Sequence, residues 1–394
     1  MLSVFASMWG KFASLIMSLS MMFGTTFGLF VPATTTAPSD YLDSNIKNVI
    51  YLIGDGMGFN HLEKAKNERN IELTMDTFDY QGESMTRSFS NAVTDSAAGG
   101  TALATGVRTL NGAIGVYPMD VTGTFTHPKN LTELCLENGK MTGVITTDET
   151  SGATPASFSA HSSDRGNTED ITEDQLASDI DLIWGTQNGV ATKEDAEANG
   201  FTYVTTTAEM LALKEGSRSF AQFTNDLWTL APSDINTPNL EMMTKNAIDI
   251  LDDTEEGFFL MVEGAHIDKH SHSNEDAKMT EALQEFDETI EYVLEYAKAD
   301  GETLVIITAD HETGAIVANS DGTYSFTSGS HSAANVPILV YGSEVLIQNG
   351  EVVNNYEIPI RIAYILGFTE EEFPFEVAAY NKFFRNLVNR DCGF

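Results

Sequence analysis

Basic residues are scarce in this chain: 21 Lys and Arg stand against 58 Asp and Glu, a formal net charge of −37 over 394 residues. That balance excludes nucleic acid and anionic membrane surfaces as natural partners, because affinity for either is built largely from Lys and Arg. The acidity reads most simply as solubility, or as adaptation to salt or cold. It also burdens any anionic substrate, whose approach must be rescued by local cations, and bound metal ions are a ready source. Cysteine is nearly absent, with Cys135 and Cys392 alone. Neither belongs to a CxxC pair, so no thiolate zinc site is indicated, and a bridge between them cannot be read from sequence. Cys135 sits in the short amphipathic stretch 130–139, closed by Gly139, and reads as a buried thiol. Ten prolines against 31 glycines suit a flexible chain.

Charge is missing altogether from residues 1–39, apart from Lys11. Phe12 to Val31 is apolar or small, and a polar, extended stretch with two prolines follows, from Pro32 to Ser39. This reads as an export signal with cleavage near Ala33 or Ala37. An uncleaved membrane anchor is the alternative, since the run approaches bilayer-spanning length. Nothing after residue 39 is long and apolar enough to span. Residues 40–394 are left as one large domain, with no internal repeat and no low-complexity linker. The segment 186–245, rich in Thr, Asn, Asp and Glu, reads as a peripheral insertion or cap.

Four apolar runs each end in an acid: Asn48–Asp55, Thr142–Asp148, Gly257–Glu263 and Thr303–Asp310. Unbroken apolar character marks strands buried on both faces, as in a parallel sheet. A fifth run, Asn335–Gly342, lacks the acid, and its Pro337 suggests an edge strand or a strand start. Between the strands lie helical patterns. The clearest spans Glu275 to Lys298, where Met279, Leu283, Phe286, Ile290, Val293 and Ala297 make a core stripe and the acids a solvated face. The alternation predicts an α/β fold: a doubly wound, mostly parallel central sheet flanked by helices, with the peripheral insertion or cap. Ligands of such sheets bind beyond the carboxyl ends of the strands, where these acids stand.

Asp95 and Ser96 open a run of small residues, 94–106, with helical character. A serine there lies at the positive end of the helix dipole among unpaired N–H groups, a place suited to phosphate. No histidine lies near it in sequence to act as base, so activation by a metal ion is the better fit. The candidate ligands are Asp55, Glu263, Asp268, His272, Asp310, His311 and His331. Asp268 and His272 are one helical turn apart. Nitrogen and carboxylate ligands suit zinc with an open position, and an all-oxygen set such as Asp55, Glu263 and a threonine suits magnesium. Alone, each element has a plainer reading: a surface Asp–His pair, a glycine turn at 54–58, a helix cap at Asp95–Ser96. Their conjunction at strand ends is what carries the inference.

Taken together, Gly54-Asp-Gly-Met-Gly58, Thr94-Asp-Ser-Ala97, Ala153-Thr-Pro155, Val262-Glu-Gly264, Ile267-Asp-Lys-His-Ser-His272, Thr308-Ala-Asp-His-Glu312 and Gly329-Ser-His331 resemble the alkaline phosphatase family over roughly residues 46–342. The resemblance implies a homodimeric enzyme that hydrolyses phosphate monoesters, with residues 40–394 as its catalytic domain. It implies Ser96 as the nucleophile, carrying a phosphoserine, and Arg165 as the grip on phosphate oxygens. Two zinc ions follow from it, one held by Asp268, His272 and His331 and the other by Asp310, His311 and Asp55. A magnesium ion would take Asp55, Thr154 and Glu263. Two positions vary from the pattern. Gly152 stands where many relatives carry Asp or His, which implies a magnesium site with one orienting side chain fewer. Lys269 follows Asp268 as in some bacterial members, which places it by phosphate or the third metal. His270 is extra and reads as a solvent-facing neighbour, and Asp95 as the residue that positions Arg165. Competing activities are phosphodiester or sulfate-ester hydrolysis by the same superfamily chemistry, a phosphomutase, or a metal-loaded binding protein. Arg165 favours a monoester, which offers two free oxygens to its fork.

Overall fold

A strand apolar on both faces must be covered on both faces, and the chain supplies that cover in alternation. The computed structural model describes residues 40–118, 127–223, 237–252, 254–369 and 372–373. The proposed export segment and Cys392 lie outside the described residues, as does 224–236 of the segment 186–245.

The described strands are β1 (Asn48–Gly54), β2 (Tyr80–Met85), β3 (Met141–Glu149), β4 (Leu182–Thr186), β5 (Thr202–Val204), β6 (Ser219–Phe223), β7 (Phe258–Gly264), β8 (Thr303–Thr308), β9 (Glu312–Thr313), β10 (Val317–Ala318), β11 (Tyr324–Ser325), β12 (His331–Ser332), β13 (Val336–Tyr341) and β14 (Val352–Asn354). The helices are α1 (Phe59–Arg69), α2 (Ser96–Thr105), α3 (Leu131–Glu137), α4 (Ala153–Ser157), α5 (Thr168–Ala177), α6 (Lys193–Ala198), α7 (Thr207–Met210), α8 (Leu240–Leu251), α9 (His266–His272), α10 (Asp276–Asp300) and α11 (Glu357–Ile365). Ten strands form one sheet in the order β14-β2-β13-β8-β1-β7-β3-β4-β6-β5. Its pairings are parallel except β13 with β2 and β13 with β8. The doubly wound, mostly parallel sheet expected from the sequence is therefore the observed fold.

The four acid-ended runs are β8, β1, β7 and β3, four neighbours at the centre of the sheet. Every residue of β1, β7 and β8 is buried. Along β1, Ile50 and Leu52 join a cluster with Met279, Leu283 and Phe286 of α10, whereas Val49, Tyr51 and Ile53 join Leu103 of α2 and Leu134 of α3 on the other face. The period of two along one strand thus feeds two separate cores. β6 and β5, from the segment 186–245, extend the outer edge beyond β4. Cys135 is buried in α3 as expected, and burial pushes its thiol up to about 12.

Two expectations need correction. Of the two readings of Pro337, the edge strand is overturned, since β2 and β8 flank β13, and the strand start holds. Pro337 is tolerated as its second residue because pairing with β8 begins only at Leu339, two residues on. And α10 does not turn all its acids to water. Glu285 and Asp287 are buried, the first accepting the Leu240 N–H at 3.1 Å, the second the Thr74 and Met75 N–H groups at 2.8 and 3.1 Å. They tie α8 and the 74–77 turn to α10, by capping donors that would otherwise be orphaned.

Burial pushes Glu285 up to about 8. A carboxyl raised in the folded state contributes stability that is fully present below the unfolded value, about 4.3, and is lost as pH rises through the folded one. The loss runs at about 1.4 kcal/mol per pH unit across that window. Glu285→Gln keeps an oxygen for the Leu240 N–H without the charge. Its melting midpoint relative to the native chain should rise between pH 5 and pH 9, by about 2–4 °C for each kcal/mol. All other ionisations are common to both proteins and cancel. A difference that does not vary with pH would contradict the role assigned to Glu285.

Candidate active site

Ser96 owes its position to the residue before it. Asp95 caps α2, its Oδ1 accepting the Ala98 N–H at 3.1 Å. The helix is made of small residues, is buried on every side and ends at Gly106 in a left-handed turn. It therefore holds the Ser96 hydroxyl firmly at its positive end. The second oxygen of Asp95 receives the Gly112 N–H at 2.9 Å and Nη1 of Arg165 at 3.2 Å. One carboxylate thus caps the helix and tethers the guanidinium, whose side chain remains 41% exposed and free to meet a ligand.

Ser96 Oγ lies 3.1 Å from His311 Nε2. Distant in sequence, that histidine is in fact at the serine. It is nevertheless a poor base. Burial first, then the neighbouring His331, pushes it down to about 3, far below the range useful to a general base near neutrality. Its other nitrogen meets the Thr313 hydroxyl at 3.2 Å, and that hydroxyl donates to Asp268 Oδ1. Having spent its proton on Asp268, Thr313 accepts from Nδ1–H of His311 and leaves Nε2 as a bare lone pair facing the site.

The same logic governs the other two histidines. Nδ1 of His272 donates to the Gly329 carbonyl at 2.8 Å, and Nδ1 of His331 donates to the Thr94 carbonyl at 3.0 Å. Their Nε2 atoms then face each other, 3.0 Å apart, with Asp268 oxygens 3.4 and 3.7 Å away. Three acceptors converge with no proton to share, which fits a cation. Asp268 and His272 are one turn apart on α9, and the β9–β12 ribbon pairs His331 with Thr313.

Asp55, Asp310 and His311 form a second convergence, each offering an atom within 4.8 Å of the others, as Asp268, His272 and His331 do. All three are buried. Asp310 Oδ1 is satisfied by the Gly56 and His311 N–H groups at 3.2 and 3.0 Å. Its Oδ2, Oδ1 of Asp55 and Oγ1 of Thr154 are buried with no hydrogen-bond partner. Such orphans are costly unless something absent from the protein alone satisfies them. These three belong to residues assigned to a metal by the family resemblance. Gly56 makes the turn between Asp55 and α1 feasible, with φ at +73° and a Cβ there only 2.9 Å from Asp268 Cα and Thr313 Oγ1.

Electrostatics point the same way. Burial raises Asp55 well above its usual range, and the charges of Asp310, Asp268 and Glu263 raise it further. Burial also raises Asp310. Glu263 is pushed up to about 8 by burial, then by Asp148, while accepting a hydrogen bond from Thr146. Carboxylates whose charges oppose one another in a buried site call for a cation among them.

Lys269 supplies one positive charge, since its ammonium pairs with Asp148 and faces Glu263 and Asp55. The lysine therefore stands beside the residues of the third-metal set. Asp148, next to last in the apolar strand β3, and Thr313 are site residues outside the set expected from the sequence, where only the place of Asp148 at the end of an apolar run marks it. Its Oδ2 lies 2.9 Å from where a Cβ at Gly152 would be. The missing side chain at 152 is thus the space that lets Asp148 turn to Lys269. His270 is the one clear correction here: it is buried rather than solvent-facing, with Nδ1 2.9 Å from Glu275 Oε2. It serves the start of α10 and lies outside both ligand groups.

The model of the family described as alkaline phosphatase matches residues 46–186 and 180–335. Alkaline phosphatase 4 of Bacillus subtilis (strain 168) is 33% identical over 343 residues, which are 82% of this chain and 73% of that protein. The alkaline phosphatase of Escherichia coli (strain K12) is 29% identical over 78% of this chain and 84% of its own length. Among solved structures, the alkaline phosphatase of the Antarctic bacterium TAB5 superposes with a TM-score of 0.72 at 30% identity, covering 82% of this chain and 99% of that one. The chain belongs to the alkaline phosphatase family.

Proposed function

We propose that this chain hydrolyses phosphate monoesters through a phosphoserine on Ser96, with two zinc ions and one magnesium ion. The zinc ions would be held by Asp268, His272 and His331, and by Asp55, Asp310 and His311; magnesium would be held by Asp55, Thr154 and Glu263. When bound, they supply positive charge to the serine oxygen, to the leaving oxygen and to the acids around them. A TAB5 variant that is 30% identical to this chain has Mg bound in its M3 site, which supports the third ion.

The chain's own residues do the rest. The start of α2 directs Ser96 Oγ at phosphorus. As the Oγ–P bond forms, the ester P–O bond breaks and the alcohol leaves; water then cleaves the Oγ–P bond and frees phosphate and serine. Arg165 binds two non-bridging oxygens with its planar fork, held in place by Asp95. Catalysis of this kind is mostly positioning and charge stabilisation. The observation that carries the reading is Ser96 Oγ, 3.1 Å from a ligand-group histidine and one residue from the carboxylate that tethers Arg165. The proposal extends to export, supported by the nearly uncharged residues 1–39, and to a homodimer, supported by the family resemblance.

Acid quenching during turnover of a labelled aryl phosphate should leave phosphoserine on the peptide that holds Ser96. Ser96→Ala should abolish that label and lower turnover by several orders of magnitude. Full activity in that variant would end the mechanism. Arg165→Ala should cost roughly 10–100-fold in kcat/KM for an aryl phosphate, the worth of a charged bidentate contact, and weaken inhibition by phosphate. The native chain should prefer an aryl monophosphate over a bis-aryl phosphate and an aryl sulfate. A preference for the diester would reverse the assignment.

A further inference from the structure

The cavity beside α3 and α5 holds a histidine that the mechanism above does not use. It measures about 390 Å³, and His161, Glu133 and Asp174 line it. The His161 ring is largely buried, and both its nitrogens face acceptors: Nδ1 is 2.7 Å from the Gly115 carbonyl and Nε2 is 3.0 Å from Glu133 Oε1. A neutral imidazole has one N–H and an imidazolium two, so both contacts are hydrogen bonds only in the charged ring.

We propose that His161 is a positioning residue: held as an imidazolium between Glu133 and the Gly115 carbonyl, it fixes the strap that aims Arg165 at phosphate. The proposal rests on the reading of Arg165 as the phosphate grip and adds a control on it. The strap can be followed bond by bond. Ile114 and Ser162 exchange backbone hydrogen bonds at 2.8 and 2.9 Å, and the Arg165 N–H donates to the Gly112 carbonyl at 2.7 Å. The Gly112 N–H in turn donates to the Asp95 oxygen that receives Arg165 Nη1. His161 closes one end of this ladder and Arg165 the other. Gly115 is shaped for the contact, with φ at +58° and a hypothetical Cβ 2.5 Å from His161 Nδ1. Glu133 is fixed too, its other oxygen accepting the Asn130 N–H at 2.8 Å in the capping box of α3.

The charged and titratable groups around the ring are these. Glu133 faces it from α3, and Asp174 of α5 accepts its backbone N–H at 2.7 Å. His127 stacks on it with centroids 4.7 Å apart. Lys129 pairs with Glu137, and Asp179 lines the same cavity. Burial opposes the charged ring, but the hydrogen bond and charge of Glu133 outweigh it, and the net direction is up. A base raised in this way keeps its proton at low pH and loses it as pH climbs through the raised value. One acceptor then loses its donor and the strap slackens, so the hold of Arg165 on phosphate weakens on the alkaline side.

Calorimetric titration of the holoprotein with inorganic phosphate, across pH 5.5–10, tests this without requiring turnover. His161→Gln cannot titrate or reproduce both contacts. It should bind phosphate on the order of tenfold more weakly at low pH, the scale on which misplacing a binding group is felt. The gap should close where the native ring loses its proton, a point read independently from its NMR titration. Glu133→Gln, which keeps the fold of α3 by retaining an oxygen for Asn130, should shift that closing point to lower pH. Ionisation of phosphate is common to all three proteins and cancels. A gap of constant size at every pH in both variants would overturn the inference alone. Failure of the native protein to bind phosphate would overturn the reading of Arg165 as well.

Discussion

Mutual repulsion among carboxylates at the ends of neighbouring strands is the constraint on which this structure depends. Asp55 and Asp310 follow β1 and β8, and Glu263 is the last residue but one of β7; the three strands lie side by side, about 4.8 Å from strand to strand. All three are buried, in a chain that already carries a net charge of −37. Burial and their own fields raise Asp55 and Glu263 far from the usual carboxylate range. A folded state that keeps such groups together must compensate them, and Lys269 is a single cation already engaged by Asp148. Divalent ions at the two convergences of ligand atoms would complete the compensation and draw a phosphate into an otherwise repelling field.

Much of the surrounding chain holds these groups in a receptive form. The carbonyls of Gly329 and Thr94 and the hydroxyl of Thr313 each occupy Nδ1 of a histidine, which leaves every Nε2 bare. Thr313 also reaches Asp268, so a single hydroxyl joins the two ligand groups. Asp95 performs a comparable double task for Ser96 and Arg165. These links bring the serine, the guanidinium and the two ligand groups into one unit. Small movements in one element are therefore felt at the others.

The central strands were legible in the sequence because a strand buried on both faces leaves an unbroken apolar run, and the ligand candidates because acids closed those runs. Family resemblance then sorted the candidates into sets. What the sequence withheld was pairing across distance. Nothing local to Ser96 signals His311, since the approach of α2 to the end of β8 is set by packing. Periodicity along α10 assigns Glu285 and Asp287 to solvent, but α8 and the 74–77 turn cover that flank and present N–H donors. Pro337 argues against an interior strand only where its missing N–H would be needed. At Gly152 the sequence shows only a missing side chain, whereas the fold turns Asp148 into the space it leaves.

That cations offset the buried acids is tested by a calorimetric titration of metal-depleted protein with Zn²⁺ and then Mg²⁺, counting protons released while following the melting midpoint. Two equivalents of zinc and one of magnesium should bind and raise the midpoint, and the ions that engage Asp55, Asp310 and Glu263 should release protons from these raised carboxyls. Zinc that binds without proton release, or a midpoint indifferent to thorough chelation and to both ions, would contradict the account.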